Sequence, residues 1–416
     1  MLFTQPENHH ESEGPRIGLA LAGGGPMGMI YEIGALRALD EALEGINFNH
    51  LHFYVGVSAG AAVTATLANQ LTTAQMGRVF IRDEAEEQPF NPHVFQMPAF
   101  REYYQRLKSV PSLVIDSVWR FIKNPFDLGL LESLISLGQA LPTGVFDSEP
   151  IHRYLSEVFS APGRSNDFRE LAQKLHIVAV DIDTGESVVF GSKGYDHVPI
   201  SKAVQASAAL PGVYPPVEID GHYYVDGALI KTMHASVALA QGADLVFCIN
   251  PLVPFDANLA VQAGISEQET LIGGGMPVVL SQTFRAMIHS RLEVGMSSYD
   301  TQYENADVIL FEPNRNDAKV FFANVFSFAN RLWVCEHAYQ TTRHDLLARR
   351  DELESMLSRH GIQLRMDILE DEERHFSTGL QEDNIEQKSD LEVENKITKQ
   401  TQTRDQDELM NELGNP

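Results

Sequence analysis

A serine held between two glycines at the end of an apolar run, Gly56-Val57-Ser58-Ala59-Gly60, constrains this chain more than any other stretch. Phe53-Tyr54-Val55 leads into it, and the small-residue stretch from Ala61 to Ala68 leads out. That order reads as strand, abrupt turn, helix. The turn is so sharp that its flanking residues must be glycine, and the serine hydroxyl then stands exposed at the mouth of a helix. A second glycine run, Gly23-Gly24-Gly25-Pro26-Met27-Gly28, follows the apolar run Arg16 to Ala22 and opens another helical pattern, Met29 to Leu39. Pro26 suits the first turn of that helix, where a missing N–H costs nothing. Two strand–loop–helix units in succession point to an α/β fold with a parallel sheet and crossover helices.

The same alternation resumes further along. His176 to Asp181 and Ser187 to Phe190 read as paired strands around Asp183-Thr184-Gly185-Glu186, where a hairpin turn explains the carboxylates more simply than a metal loop. Ser201 to Leu210 reads as a small-residue helix stopped by Pro211-Gly212, and His222 to Val225 as a strand delivering Asp226-Gly227-Ala228. Leu245 to Ile249 and Val308 to Phe311 complete the strands. Residues 90–143 interrupt the pattern with an amphipathic stretch, Pro111 to Lys123, and an apolar one, Leu128 to Leu137. Arg101, Arg106, Lys108, Arg120 and Lys123 make this insertion locally basic. It reads either as two core-facing helices or as a lid that covers the site or rests on a membrane surface. Val320 to Arg359 reads as a helical extension, within residues 313–366, of two helices. Residues 1–13 read as a flexible start, and residues 367–416, with fifteen acidic side chains against five basic ones, as an acidic disordered tail.

Bulk composition narrows the function. A net charge of −26 over 416 residues argues against nucleic acid as a partner, since no general basic surface is available. Two cysteines, Cys248 and Cys335, supply neither a disulfide framework nor a zinc site. The polar segment Met1 to Glu13 lacks the cationic start and apolar centre of a secretory signal, and no apolar run approaches the roughly 18 residues of a spanning helix. A cytoplasmic protein, soluble or peripheral to a membrane, is the expectation.

Acyl transfer by a serine needs a nucleophile, a base for its proton and donors for the oxyanion. Ser58 is the candidate nucleophile, with the positive end of the following helix beside the developing charge. Gly23, Gly24, Gly25 and Gly28 are candidates for the oxyanion donors. Glycines leave backbone N–H groups unshielded at a helix start, and donors held this way contribute roughly 3 to 4 kcal/mol to a transition state. The spacing Gly23-x-Gly25-x-x-Gly28 also fits a dinucleotide fingerprint, which would make the chain an oxidoreductase. That reading needs an acidic residue at the end of the second strand, and Gly56-Val57-Ser58 stands there instead. Of fifteen histidines none has a distinctive setting; His222, His234, His289 and His337 remain candidates for a base. Asp226 is a better one, at the end of a tyrosine-rich strand, although Asp-Gly is equally a common hairpin signal.

Taken together, Gly23-Gly24-Gly25-Pro26-Met27-Gly28, Gly56-Val57-Ser58-Ala59-Gly60, Ala206-Ser207-Ala208-Ala209-Leu210-Pro211-Gly212 and Asp226-Gly227-Ala228 resemble the patatin-like phospholipase family, in the family's order. The resemblance covers about residues 14–312. It implies a three-layer α/β/α sandwich with a mostly parallel sheet. It also implies a Ser–Asp dyad of Ser58 and Asp226, no cofactor or metal in the chemistry, and hydrolysis of acyl esters in phospholipids, lysophospholipids or neutral lipids. Two positions depart from the family pattern. Met27 stands where a basic residue is usual, and Ala228 where glycine is common. A non-catalytic patatin-fold binding protein is the alternative that the first departure favours.

Overall fold

The computed structural model describes residues 14–84, 90–100, 102–104, 142–231, 233–265, 270–322 and 328–381. Among them the strands are β1 (Ile17–Leu21), β2 (Leu43–Glu44), β3 (Phe53–Val57), β4 (Lys174–Asp181), β5 (Ser187–Phe190), β6 (Val217–Ile219), β7 (His222–Asp226), β8 (Leu245–Ile249), β9 (Asp307–Phe311) and β10 (Gln363–Leu364). Five of these run parallel in the order β9-β8-β1-β3-β4. Every residue of β1, β3 and β8 is buried. Continuous apolar strands of this kind arise when helices cover both faces of a sheet.

Alternate side chains divide between two cores. Leu19, Leu21, Tyr54, Phe247 and Ile249 face one layer, with helix α1 (Gly25–Ala42), helix α2 (Ala59–Ala68) and the helix Arg331–Ala348. Ala20, Ala22, Val55, Val57, Val246 and Cys248 face the other, with the helices Ala235–Ala240 and Gly275–Gln302. The architecture is the three-layer sandwich that the family resemblance implies.

The pairing of β4 sets up everything that follows. Val178 pairs with Val57 and with Val189, and Ala179 pairs with Val188 and with Asp226. A strand has two edges, so β5 occupies one, and β3 and β7 share the other. β3 runs parallel to β4 and ends at Val57; β7 runs antiparallel and ends, one residue further along, at Asp226. The carboxyl ends of two strands distant in sequence therefore meet head to head.

The expected helical extension is present as Arg331–Ala348 and Arg350–Arg359, and the first of these packs directly on α1. A Cβ at Gly34 would lie 2.3 Å from the carbonyl oxygen of Cys335 and 3.1 Å from Ala338 Cβ, so the two helices touch through backbone. The segment expected to be disordered from 367 is instead folded to Gln381. Ile368, Leu369, Phe376 and Leu380 are buried in the main core. Arg374 Nε donates to Glu41 Oε2 at 2.7 Å, and Tyr339 Oη donates to the same oxygen at 2.6 Å. Composition averaged over an acidic window hides these four apolar residues, and each buried one contributes about 1.5 to 3 kcal/mol. Residues 382–416, residues 1–13 and the expected lid helices Pro111 to Lys123 and Leu128 to Leu137 lie outside the described residues. The ends of the insertion are drawn together: Ala99 N–H donates to Val145 O at 3.1 Å, and Phe146 N–H to Val213 O at 2.8 Å.

Candidate active site

Ser58 caps the start of α2 with φ 53° and ψ −118°, a conformation that costs a non-glycine residue about 1 to 3 kcal/mol. Close approach of α2 to the strand ends enforces it. A Cβ at Gly60 would stand 2.6 Å from Leu21 Cβ, and one at Gly56 2.5 Å from Ala61 Cα. Hydrogen bonds hold the turn from both sides. Gly60 N–H donates to Ala22 O at 3.2 Å. Ser58 N–H donates to Ser207 Oγ at 2.8 Å, and that hydroxyl in turn donates to Val178 O at 2.6 Å.

The Ser58 hydroxyl donates to Asp226 Oδ2 at 2.6 Å. The other carboxylate oxygen accepts the N–H of Ala228 at 2.9 Å, and Asp226 N–H is tied to Ala209 O at 3.0 Å. Both oxygens are thus oriented, one by backbone and one by the serine. Burial raises the Asp226 pKa to about 6, against the opposing pull of the Ser58 hydroxyl and the Ala228 N–H. A carboxylate poised near 6 is ionised at neutral pH yet basic enough to take a proton. The structure therefore brings together the two sequence candidates. His222 bonds Asp181, His289 lies beside Glu293 and Glu312, and His337 contacts Asp317. Burial of His234 lowers its pKa to about 3, which keeps it neutral. None of these four imidazoles is hydrogen-bonded to Ser58 or Asp226.

The glycine loop forms the facing wall. A Cβ at Gly23 would sit 3.1 Å from both Ser58 Cβ and Ala228 Cβ. One at Gly24 would sit 2.7 Å from Gly28 Cα and from Pro251 Cγ, and one at Gly28 3.1 Å from Pro251 Cγ. Gly25, at φ 61°, opens α1, whose first-turn N–H groups have no acceptor within the helix. Gly23, Gly24 and Gly25 share with Ser58 and Asp226 a cavity of about 230 Å³, walled by Met29, Phe95, Ile151, Val204, Leu210 and Tyr214. Gly28 and Met27 do not reach it. They border a smaller adjoining space with Tyr31, Pro251 and Arg285.

Two residues of the site had no sequence signal strong enough to name them. Ser207 lay inside a recognised block, yet nothing marked its hydroxyl as the acceptor for Ser58 N–H. Arg285 lines the cavity from the helix Gly275–Gln302. Its only sequence signature is a cation on the same helical stripe as Ile288 and Leu292.

Comparison with known proteins bears on the whole region. The sequence model described as patatin-like phospholipase matches residues 19–239, which span β1 through the helix after Asp226. Uncharacterized NTE family proteins of Mycobacterium bovis and Mycobacterium tuberculosis are 33% identical over 73 residues, 18% of this chain. That match spans 19% of those relatives' length. Among solved structures, VipD from Legionella pneumophila aligns at 16% identity and a TM-score of 0.35, over 81% of this chain and 71% of that one. Human GIVD cytosolic phospholipase A2 in complex with methyl gamma-linolenyl fluorophosphonate aligns at 14% identity and a TM-score of 0.25, over 62% of this chain and 43% of that one.

Proposed function

The chain belongs to the patatin-like phospholipase family, and from that premise we propose that it is a lipid acyl hydrolase cleaving carboxylic esters through a dyad of Ser58 and Asp226. The observation that carries the reading is the 2.6 Å hydrogen bond from Ser58 Oγ to Asp226 Oδ2 on the wall of an apolar cavity.

Asp226 takes the Ser58 proton as Oγ attacks the ester carbonyl carbon. The carbonyl oxygen becomes an oxyanion, and the unshielded N–H groups of the glycine loop, at Gly24 and Gly25, donate to it. Collapse breaks the ester C–O bond, and the departing alkoxide leaves as an alcohol with the proton Asp226 holds. The acyl group is then bonded to Ser58. Water attacks that ester in the second half, giving its proton to Asp226. Collapse frees the fatty acid, and Asp226 returns the proton to Ser58 Oγ. The apolar wall suits an acyl chain, and the substrate is drawn from a lipid or membrane surface. No helix among the described residues is long and apolar enough to cross a membrane, so contact with a bilayer would be peripheral to them.

A fluorophosphonate probe tests this directly: it should label Ser58, and Ser58→Ala or Asp226→Asn should each abolish ester hydrolysis in a folded protein. Hydrolysis that survives Ser58→Ala would sink the proposal. A binding protein of the same fold would take no label, and an oxidoreductase would bind a dinucleotide saturably.

A further inference from the structure

Arg285 lies on the stripe of the helix Gly275–Gln302 that buries Ile288 and Leu292, and only 5% of it is exposed. A guanidinium has five N–H donors, and removing it from water is costly unless they are paired. Among the described residues one hydrogen bond is made, from Nη1 to Val253 O at 3.2 Å. The ring of Phe321, with its centroid 5.1 Å from Cζ, offsets part of the cost. No carboxylate among the described residues pairs with it. Burial lowers its pKa to about 10, which leaves the side chain charged at neutral pH.

Its surroundings say what it awaits. Arg285 borders the cavity that holds Ser58 and Asp226, together with Ser281 and Phe284 of its own helix. It also borders the adjoining space beside Met27, so it brings a cation to a glycine loop that has none of its own. Among the described residues the one acid on the cavity wall, Asp226, is already engaged by Ser58 and by Ala228 N–H. A buried fork with unused donors, facing a site with no acid to spare, is matched by an anion that arrives with the ligand. A planar guanidinium accepts a phosphate through two parallel hydrogen bonds.

We propose that Arg285 is a specificity-determining residue that receives the phosphodiester of a phospholipid or lysophospholipid while Ser58 attacks the acyl ester. This rests on the Ser58–Asp226 reading above.

The test uses the full chain and two substrates with the same acyl ester, lauroyl lysophosphatidylcholine and monolauroylglycerol, one with the phosphodiester and one without. The readout is the ratio of their kcat/KM values in wild type, Arg285→Gln and Arg285→Lys. Loss of a charge-assisted contact should lower the ratio about 10- to 100-fold in Arg285→Gln, mainly through KM. Arg285→Lys, which keeps the charge without the fork, should fall between. A ratio that stays put while both activities drop alike would reduce Arg285 to packing and overturn the assignment. An unmoved ratio, with inorganic phosphate alone inhibiting the wild type but not Arg285→Gln, would give the site to the free anion and also overturn it. A wild type inactive on both esters would instead overturn the Ser58–Asp226 reading, so the two failures are distinguishable.

Discussion

Replacing Asp226 by asparagine should make the protein more stable and nearly inactive at the same time, and the size of the gain should depend on pH. Burial raises the Asp226 pKa from 3.8 to about 6. At about 1.36 kcal/mol per unit, carrying the ionised carboxylate costs the folded state about 3 kcal/mol at neutral pH. The sign follows from proton binding. Between 3.8 and about 6 the folded protein holds a proton that the unfolded chain has released. The contribution of Asp226 to stability is therefore complete below the lower value and is lost as pH rises through the higher one. Asparagine removes that dependence without orphaning a partner. Its Oδ1 can accept the Ala228 N–H, and its amide can donate to Ser58 Oγ, which reverses the serine hydrogen bond from donor to acceptor. Allowing for imperfect geometry, Asp226→Asn should gain about 1 to 3 kcal/mol at pH 7.5, a rise of about 1 to 4 °C in Tm for a chain of this size. The gain should vanish below pH 4. Ester hydrolysis should fall about 10³- to 10⁴-fold, because the base is gone and the serine proton points the wrong way. Thermal melts of both proteins from pH 4 to 7.5, beside initial rates on a soluble ester, check all three statements. A variant less stable than wild type at pH 7.5, or a difference that does not change with pH, would refute the argument.

Other expectations follow from the same geometry. Wild-type kcat/KM should decline with unit slope below about pH 6, as Asp226 protonates; a profile flat down to pH 4.5 would exclude it as the base. Ser58→Gly should be more stable than Ser58→Ala by about 1 to 2 kcal/mol in urea titrations, because glycine alone relaxes at φ 53°, and neither variant should hydrolyse esters. Ser207→Ala strips the acceptor from Ser58 N–H and the donor from Val178 O. It should cost about 1 to 3 kcal/mol and slow fluorophosphonate labelling of Ser58. Arg374→Ala removes a buried partner of Glu41 and should cost about 3 kcal/mol, with faster hydrogen exchange in residues 366–381 but no shift in lipid preference.

Local signals made much of the fold legible. Uninterrupted apolar runs marked β1, β3 and β8, because strands covered on both faces must be apolar throughout. Gly24-Gly25-Pro26 marked the start of α1 for a steric reason that holds in any context. Other elements escaped. β6 has three residues, too few for a period to emerge. The helix Gly275–Gln302 exposes Met276, Leu280, Met287 and Val294, so its apolar residues do not separate one face from the other. The segment to Gln381 folds because α1 and the helix Arg331–Ala348 offer it a surface, and no property of the segment alone reports that surface.

For the site, the serine turn and the glycine loop are determined by sequence. Steric exclusion at Gly56, by Ala61 and Thr64, and at Gly24, by Gly28, operates within a few residues, while the contacts of Gly60 with Leu21 and of Gly24 with Pro251 come from the packed sheet. The partner of Ser58 is a different matter. Asp226 lies 168 residues away and reads equally well as a hairpin turn. What unites them is an edge of β4, long enough for β3 to end on it at Val178 and for β7 to arrive from the opposite direction at Ala179. The raised pKa of the carboxylate and the incompletely paired charge of Arg285 have the same origin. Burial is a property of the assembled layers, and no residue carries it in its own sequence.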